Sequence, residues 1–247
     1  MIRLKSADDL SKIKESCQML AETYDELVKM VSPGVTTGEL DRFATSHIRK
    51  LGGKPAFLGY MGYPAALCTS VNEEIIHGIP GKRVLNEGDI VSLDLGIDLK
   101  GYFSDRALTV GVGKIADNLQ RLLKVTEECL YKGIEQAVYK NRIKDISKAV
   151  FEHAKEYGYG VVREYCGHGV GYSQHEDPQV PNYVGRGPNP RLKPGMVIAV
   201  EPMINMGCDE IETLSDEWTV ITADFQPSAH FEHTIAIYED RTEILTK

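Results

Sequence analysis

The sequence predicts a chain of mixed α/β (α+β) class, built as two related halves around an approximate two-fold axis. Three observations carry this. The order helix, helix, strands occurs twice along the 247 residues. The stretch Leu85-Asn86-Glu87-Gly88-Asp89-Ile90-Val91-Ser92-Leu93-Asp94 aligns with Leu192-Lys193-Pro194-Gly195-Met196-Val197-Ile198-Ala199-Val200-Glu201. In both copies a Leu precedes a Gly turn, an apolar strand follows, and an acid ends it at the same distance from the Gly. The expected organisation is a single domain over 1–247, with halves of about 1–112 and 113–247. That length suits one large core.

The elements follow from spacing. Leu10, Ile13, Cys17, Leu20, Tyr24, Leu27, Val28 and Val31 recur at helical intervals. Ser6 and Asp9 form a capping-box pattern at the start, and Ser32-Pro33-Gly34 ends the run. Thr36 with Glu39 opens a second helix through Leu40, Phe43, Ala44 and Ile48, which Gly52-Gly53 stops. From Tyr60 to Pro80 the chain reads as loop and short strand. Strands follow from Ile90, with a hairpin turning near Lys100-Gly101. Leu119, Leu122, Leu123, Cys129, Leu130 and Ile134 give a third helix. Ile146, Ala149, Val150, His153 and Tyr157 give a fourth, ended by Gly158. Further strands are expected around Val161-Val162, Val197–Ile204, Trp218–Thr222 and Thr234–Tyr238.

Composition is that of an ordinary globular protein, with 42% hydrophobic and 26% charged residues. The formal charge of -8, without a basic run, argues against a nucleic-acid surface. Cys17, Cys68, Cys129, Cys166 and Cys208 are odd in number and contain no CxxC pair, so a disulfide framework is not expected. No signal peptide and no apolar run long enough to span a membrane is visible. A cytoplasmic location without membrane association is the expectation.

The chemistry concentrates in acids that sit where acids are costly. Asp94 lies inside an apolar strand pattern, and Glu201 and Glu232 repeat the arrangement in Val197–Ile204 and Phe231–Ile237. An ionised carboxylate buried there costs several kcal/mol or more unless it is paired or on a metal. If a hairpin turns near Lys100-Gly101, Asp105 returns alongside Asp94, and two carboxylates face each other across the ladder. Arg106 is the nearest candidate ion-pair partner for Asp105. His168 stands in Cys166-Gly167-His168-Gly169, where flanking glycines allow close approach to a ligand. His175 follows seven residues later. Four carboxylates and one imidazole form a mainly hard donor set, more than one ion needs. Two divalent ions sharing bridging carboxylates are the economical reading, and such a pair supports hydrolysis.

With these residues in place, the chain resembles the methionine aminopeptidase family of the short bacterial type I kind, over nearly its full length. The ordered set Asp94, Asp105, His168, Glu201 and Glu232 carries the resemblance. Gly59-Tyr60-Met61-Gly62-Tyr63-Pro64, Asn72-Glu73, His77-Gly78-Ile79-Pro80 and Glu232-His233-Thr234 add to it. The resemblance implies the pita-bread fold, two pseudo-two-fold-related α/β halves with a central antiparallel sheet and helices on its outer face. It implies two divalent metal ions (cobalt, manganese, iron, zinc or nickel). Asp94 and Asp105 would bind one, His168 and Glu201 would complete the second, and Glu232 would bridge. A hydroxide on the metal pair would attack the scissile carbonyl, with Glu201 as proton shuttle. His175 would stabilise the oxyanion, His77 would contact the scissile amide, and Tyr60, Tyr63, Cys68 and Trp218 would wall the methionine pocket. The substrates implied are nascent polypeptide N-termini with a small second residue, the neighbour implied is the ribosome near its exit tunnel, and a monomer is expected.

Three positions depart from the family pattern. Gln174 stands where an aromatic residue is common, which places a polar amide beside the thioether pocket. His230 replaces a common Gln two residues before Glu232. Arg106 replaces a Thr after Asp105, and pairing with Asp105 would weaken metal affinity. Proline-specific peptidases of the same fold usually carry a large extra N-terminal domain. Here the first helix is expected near Asp8, without room for one. Binding proteins of this fold that have lost catalysis typically lose metal ligands, and all five are present in this sequence.

Overall fold

The computed structural model describes all residues from Met1 to Lys247. The first half contains α1 (Ala7–Leu27), α2 (Thr37–Leu51), β1 (Lys54–Pro55), β2 (Leu67–Val71), β3 (Glu74–Ile76), β4 (Ile90–Leu99) and β5 (Tyr102–Gly111). The second contains α3 (Asp117–Gln136), α4 (Ile143–Glu156), β6 (Gly160–Val161), β7 (Gly167–Gly169), β8 (Glu176–Val180) and β9 (Val197–Val200). It continues with β10 (Met203–Asn205), β11 (Ile211–Thr213), β12 (Val220–Thr222), β13 (Ser228–His230), β14 (His233–Ile237) and β15 (Thr242–Ile244).

Both expected capping boxes form. The Ser6 hydroxyl accepts from Asp9 N–H, and Thr36 does the same for Glu39. Gly52 ends α2 at a φ of 90°, a left-handed conformation that a glycine adopts without penalty. The apolar faces then bury. Leu20, Tyr24 and Leu27 of α1, with Leu40, Ala44 and Ile48 of α2, pack on Leu67, Leu93 and Leu95 of β2 and β4. In the second half, Leu130 and Ile134 of α3 and Ile146 of α4 pack on Ile198, Val200 and Ile235. The helices therefore cover the outer faces, and the strands are left to meet each other.

The repeat survives as backbone geometry. Val84 bridges Thr36, and Arg191 bridges Arg142. Gly88 and Gly195 both take left-handed φ values, 94° and 86°. Leu85 N–H donates to Val35 carbonyl and Leu192 N–H to Asn141 carbonyl, each at 2.8 Å. The same turn thus feeds β4 in one half and β9 in the other. All strand pairs are antiparallel, but they form four sheets rather than one central sheet. One cause is local. The expected strand Val197–Ile204 breaks at Glu201-Pro202 into β9 and β10, because proline has no N–H for the ladder.

The β4–β5 hairpin turns at Lys100-Gly101, both at positive φ (55° and 87°), as a two-residue primed turn requires. Its register pairs Asp94 with Ala107 and Gly96 with Asp105. The two aspartates therefore lie diagonally across the ladder, two residues out of direct opposition, and on one face of the sheet. This corrects the expectation of directly opposed carboxylates.

The halves join along β5. Glu232 N–H donates to Ala107 carbonyl at 2.8 Å. The Thr234 hydroxyl accepts from Asp105 N–H at 3.1 Å and donates to Asp105 carbonyl at 2.7 Å. This seam delivers Glu232 beside Asp105. No helix is long and apolar enough to cross a membrane.

Candidate metal centre

A cavity of about 460 Å³ opens between the halves, lined by Asp94, Asp105, His168, Glu201 and Glu232. Each comes from a different backbone segment: β4, β5, β7, the break after β9, and the residue before β14. Ligand atoms of Asp105, His168 and Glu232 lie within 4.8 Å of one another. His168 Nε2 is 3.5 Å from Asp105 Oδ2 and 3.4 Å from Glu201 Oε1. The other ring nitrogen, Nδ1, is 2.9 Å from the Gly169 carbonyl. A carbonyl only accepts, so Nδ1 carries the proton and Nε2 presents a lone pair to the acids.

The electrostatics of this cluster favour an added cation. Asp105 and Glu232 are buried, Glu201 nearly so, and Asp94 is open only toward the cavity. Burial is the main cause that raises all four carboxyl groups, Asp105 and Glu201 to about 8. Asp94 is held well above its ordinary range by burial and then by the charge of Asp105. Glu232 is raised the same way, by burial and by Asp105, Glu201 and Asp94. Asp94 Oδ1 and Glu232 Oε1 have no hydrogen-bond partner. Buried acceptors of this kind are rare without a partner. Four hard oxygen donors and one imidazole fit divalent ions, which would neutralise the acids and use the orphaned oxygens.

The remaining expected residues divide. His77, Tyr60, Tyr63, Cys68 and His175 line the same cavity. His175 stacks near His168, with ring centroids 4.2 Å apart, and its Nδ1 meets the Tyr60 hydroxyl at 2.9 Å. Partial burial, with the His168 and His77 rings nearby, pushes His175 down, and burial pushes His77 down to about 4. Both are neutral at pH 7. The Tyr63 hydroxyl donates to the Gly78 carbonyl at 3.0 Å, which ties the pocket wall to the loop after His77. Trp218 stands one layer back, edge-on to Tyr63 and His77.

Gln174 is not at the pocket wall. It is buried, and its Nε2 donates to Asp105 Oδ2. A Cβ on Gly96 would meet the Gln174 amide and Phe57 at 2.9 Å, so Gly96 makes room for this contact. Arg106 does not pair with Asp105 either. Alternation along β5 sends its side chain to the opposite face, where the guanidinium lies 4.8 Å over the Tyr24 ring. Sequence reasoning missed Phe57 and Tyr165 as cavity residues; Tyr165 packs edge-on against His77. Both sit in loops without periodicity, and nothing in the sequence marks them.

Residues 11–239 match the family model described as "Metallopeptidase family M24". The chain belongs to metallopeptidase family M24. Within the family it is 50% identical to methionine aminopeptidase of Treponema pallidum, over 100% of this chain and 97% of that protein. It is 49% identical to methionine aminopeptidase 1 of Bacillus subtilis, over the full length of both. The crystal structure of methionine aminopeptidase from Thermotoga maritima superposes with a TM-score of 0.97 at 42% identity, again over both whole chains. The M24 fold is thus present from end to end, and the candidate metal centre is that of a metallopeptidase.

Proposed function

We propose that this chain is a methionyl aminopeptidase that removes the N-terminal methionine from nascent proteins and peptides, preferentially before a small second residue. The observation that carries the reading is the buried group of four carboxylates and His168 at the floor of one cavity. Full-length identity of about half to bacterial methionine aminopeptidases supports the substrate class.

Asp94 and Asp105 would hold one divalent ion, His168 and Glu201 a second, with Glu232 between them. Bound ions supply Lewis acidity, which polarises a carbonyl and lowers the pKa of water. The residues of the chain do the rest. Glu201, beside His168, takes a proton from the attacking water and passes it to the leaving amine. General acid–base transfer of this kind contributes about 10²–10⁴-fold. His175 Nδ1 shares a hydrogen bond with the Tyr60 hydroxyl, and in the tautomer where that hydroxyl donates, His175 Nε2–H is free to donate to the oxygen that gains charge. His77, neutral and held against Tyr165, faces the scissile amide. Tyr60, Tyr63 and Cys68 provide a largely apolar wall for the thioether side chain, backed by Trp218. Gln174 orients Asp105 rather than touching substrate.

The reading extends to a single catalytic unit over 1–247, with halves of about 1–112 and 113–247. It places a monomer in the cytoplasm, close to the ribosome exit tunnel. Manganese, cobalt and iron are the first ions to test. The metal-loaded protein should release free methionine from Met-Ala peptides and leave Xaa-Pro peptides with Xaa other than Met intact. Cleavage of Xaa-Pro alone, or no release with any of these ions, rejects the assignment.

A further inference from the structure

Two imidazoles flank Glu201, one on each carboxylate oxygen. His168 Nε2 lies 3.4 Å from Oε1, and His230 Nε2 lies 3.7 Å from Oε2. His230 is 2% exposed, and neither of its ring nitrogens has a hydrogen-bond partner. A buried imidazole with both nitrogens unused is costly and calls for an explanation.

Its position is fixed by the backbone. His230 N–H donates to the Thr109 hydroxyl, and that hydroxyl donates back to the His230 carbonyl, both at 2.9 Å. The β10–β13 pairing sets His230 opposite Met203, two residues after Glu201. The seam that places Glu232 therefore also holds the His230 ring at the Glu201 carboxylate. A nitrogen and an oxygen that share one divalent ion, each at about 2.0–2.2 Å, stand about 3–4 Å apart. Both His–Glu201 separations fall in that range.

We propose that His230 Nε2 is an additional donor of the metal centre, on the Glu201 side. That side then carries two imidazoles, while the side of Asp94 and Asp105 is all oxygen. Nitrogen donors favour zinc, cobalt, nickel and iron over manganese and magnesium, so the two positions differ in ion preference. The inference rests on the five-residue ligand reading above.

The test is a count of imidazoles by X-ray absorption on zinc-saturated protein, with zinc and manganese dissociation constants measured by calorimetry. The wild type should show at least two imidazoles per protein, and His230→Gln should show one fewer. The zinc Kd should rise at least about 10-fold in His230→Gln, the scale at which even outer partners of a ligand act, and the manganese Kd should rise less. A wild-type count below two overturns the proposal without any variant. Equal counts and equal zinc Kd in wild type and His230→Gln overturn it as well, and leave His230 as a hydrogen-bond neighbour of Glu201. His168→Gln separates the two levels. If it loses an imidazole and His230→Gln does not, this proposal fails and the five-residue reading stands. If neither variant loses one, the five-residue reading fails too.

Discussion

The two halves present their acids from equivalent turns but in different ways. In the first half the Gly88 turn feeds a hairpin of two ten-residue strands, and Asp94 sits mid-strand with β4 running on past it. In the second half the Gly195 turn feeds a four-residue strand that ends at Val200, and Glu201 stands at a proline break. The first half therefore supplies carboxylates on a rigid ladder. The second supplies a carboxylate with its backbone released from the ladder, beside His168. On the proposed reading, one scaffold used twice gives an anchoring side and a reacting side. The difference between them is made by Pro202 and by the histidines, not by the turn.

This contrast can be broken by substitution. Glu201→Gln should leave the fold intact by circular dichroism and lower kcat by about 10²–10⁴-fold. Retained turnover would remove Glu201 from the proton path and dissolve the distinction between the halves. On the anchoring side, Asp94→Asn should act through metal binding. The metal Kd should rise about 10-fold or more, equivalent to at least 1.4 kcal/mol. An unchanged Kd would place the anchor elsewhere.

The pH dependence sharpens the comparison further. Asp105 and Glu201 titrate near 8 in the metal-free fold and near 4 in the unfolded chain. Between those values the folded protein holds protons that the unfolded chain has released. Their contribution to stability is complete below about pH 4 and is lost as pH rises through about 8. The metal-free protein should therefore show a Tm that falls from pH 5 to pH 9, while metal-loaded protein resists the fall. A metal-free Tm that rises over this range would contradict the buried, protonated cluster.

Gln174→Phe tests the anchoring side more gently. The amide N–H favours ionised Asp105, and hydrogen bonds to charged groups contribute about 1.5–3 kcal/mol. Its loss should weaken metal binding about 10-fold and leave the ratio of activities on Met-Ala and Leu-Ala peptides unchanged. A changed ratio would return Gln174 to the pocket wall. The smallest effect is expected from Arg106→Met. Loss of the stacking on Tyr24 should cost about 1 kcal/mol in denaturant unfolding, with no change in metal affinity.

Much of this was legible in the sequence. The four helices and their caps follow from apolar spacing and Ser/Thr-x-x-acid patterns, which are local. The hairpin, and with it Asp105, followed from Lys100-Gly101; Asp94, Glu201 and Glu232 followed from their odd placement in apolar strands, and His168 from its flanking glycines and the family resemblance. Register did not follow. Whether Asp94 opposes Asp105 or lies diagonal to it depends on a two-residue turn rather than on composition. The surroundings of Gln174 and Arg106 were also hidden, because alternation on β5 assigns them to opposite faces only once that register is known. His230 read as a single departure from a pattern. Its meaning appears only when β10 and β13 bring it to Glu201, across residues distant in the chain.

The diagonal offset of the two aspartates has one more consequence. It makes the length of a surface turn a determinant of buried chemistry. Tight turns are commonly places where a chain tolerates an added residue, since nothing packs on them. Here one residue inserted between Lys100 and Gly101 and drawn into the ladder would shift β5 by one step against β4 and swing Asp105 from the cavity to the outer face. The placement of the buried carboxylates at the centre of the protein is thus written at its rim, in a loop that touches none of them.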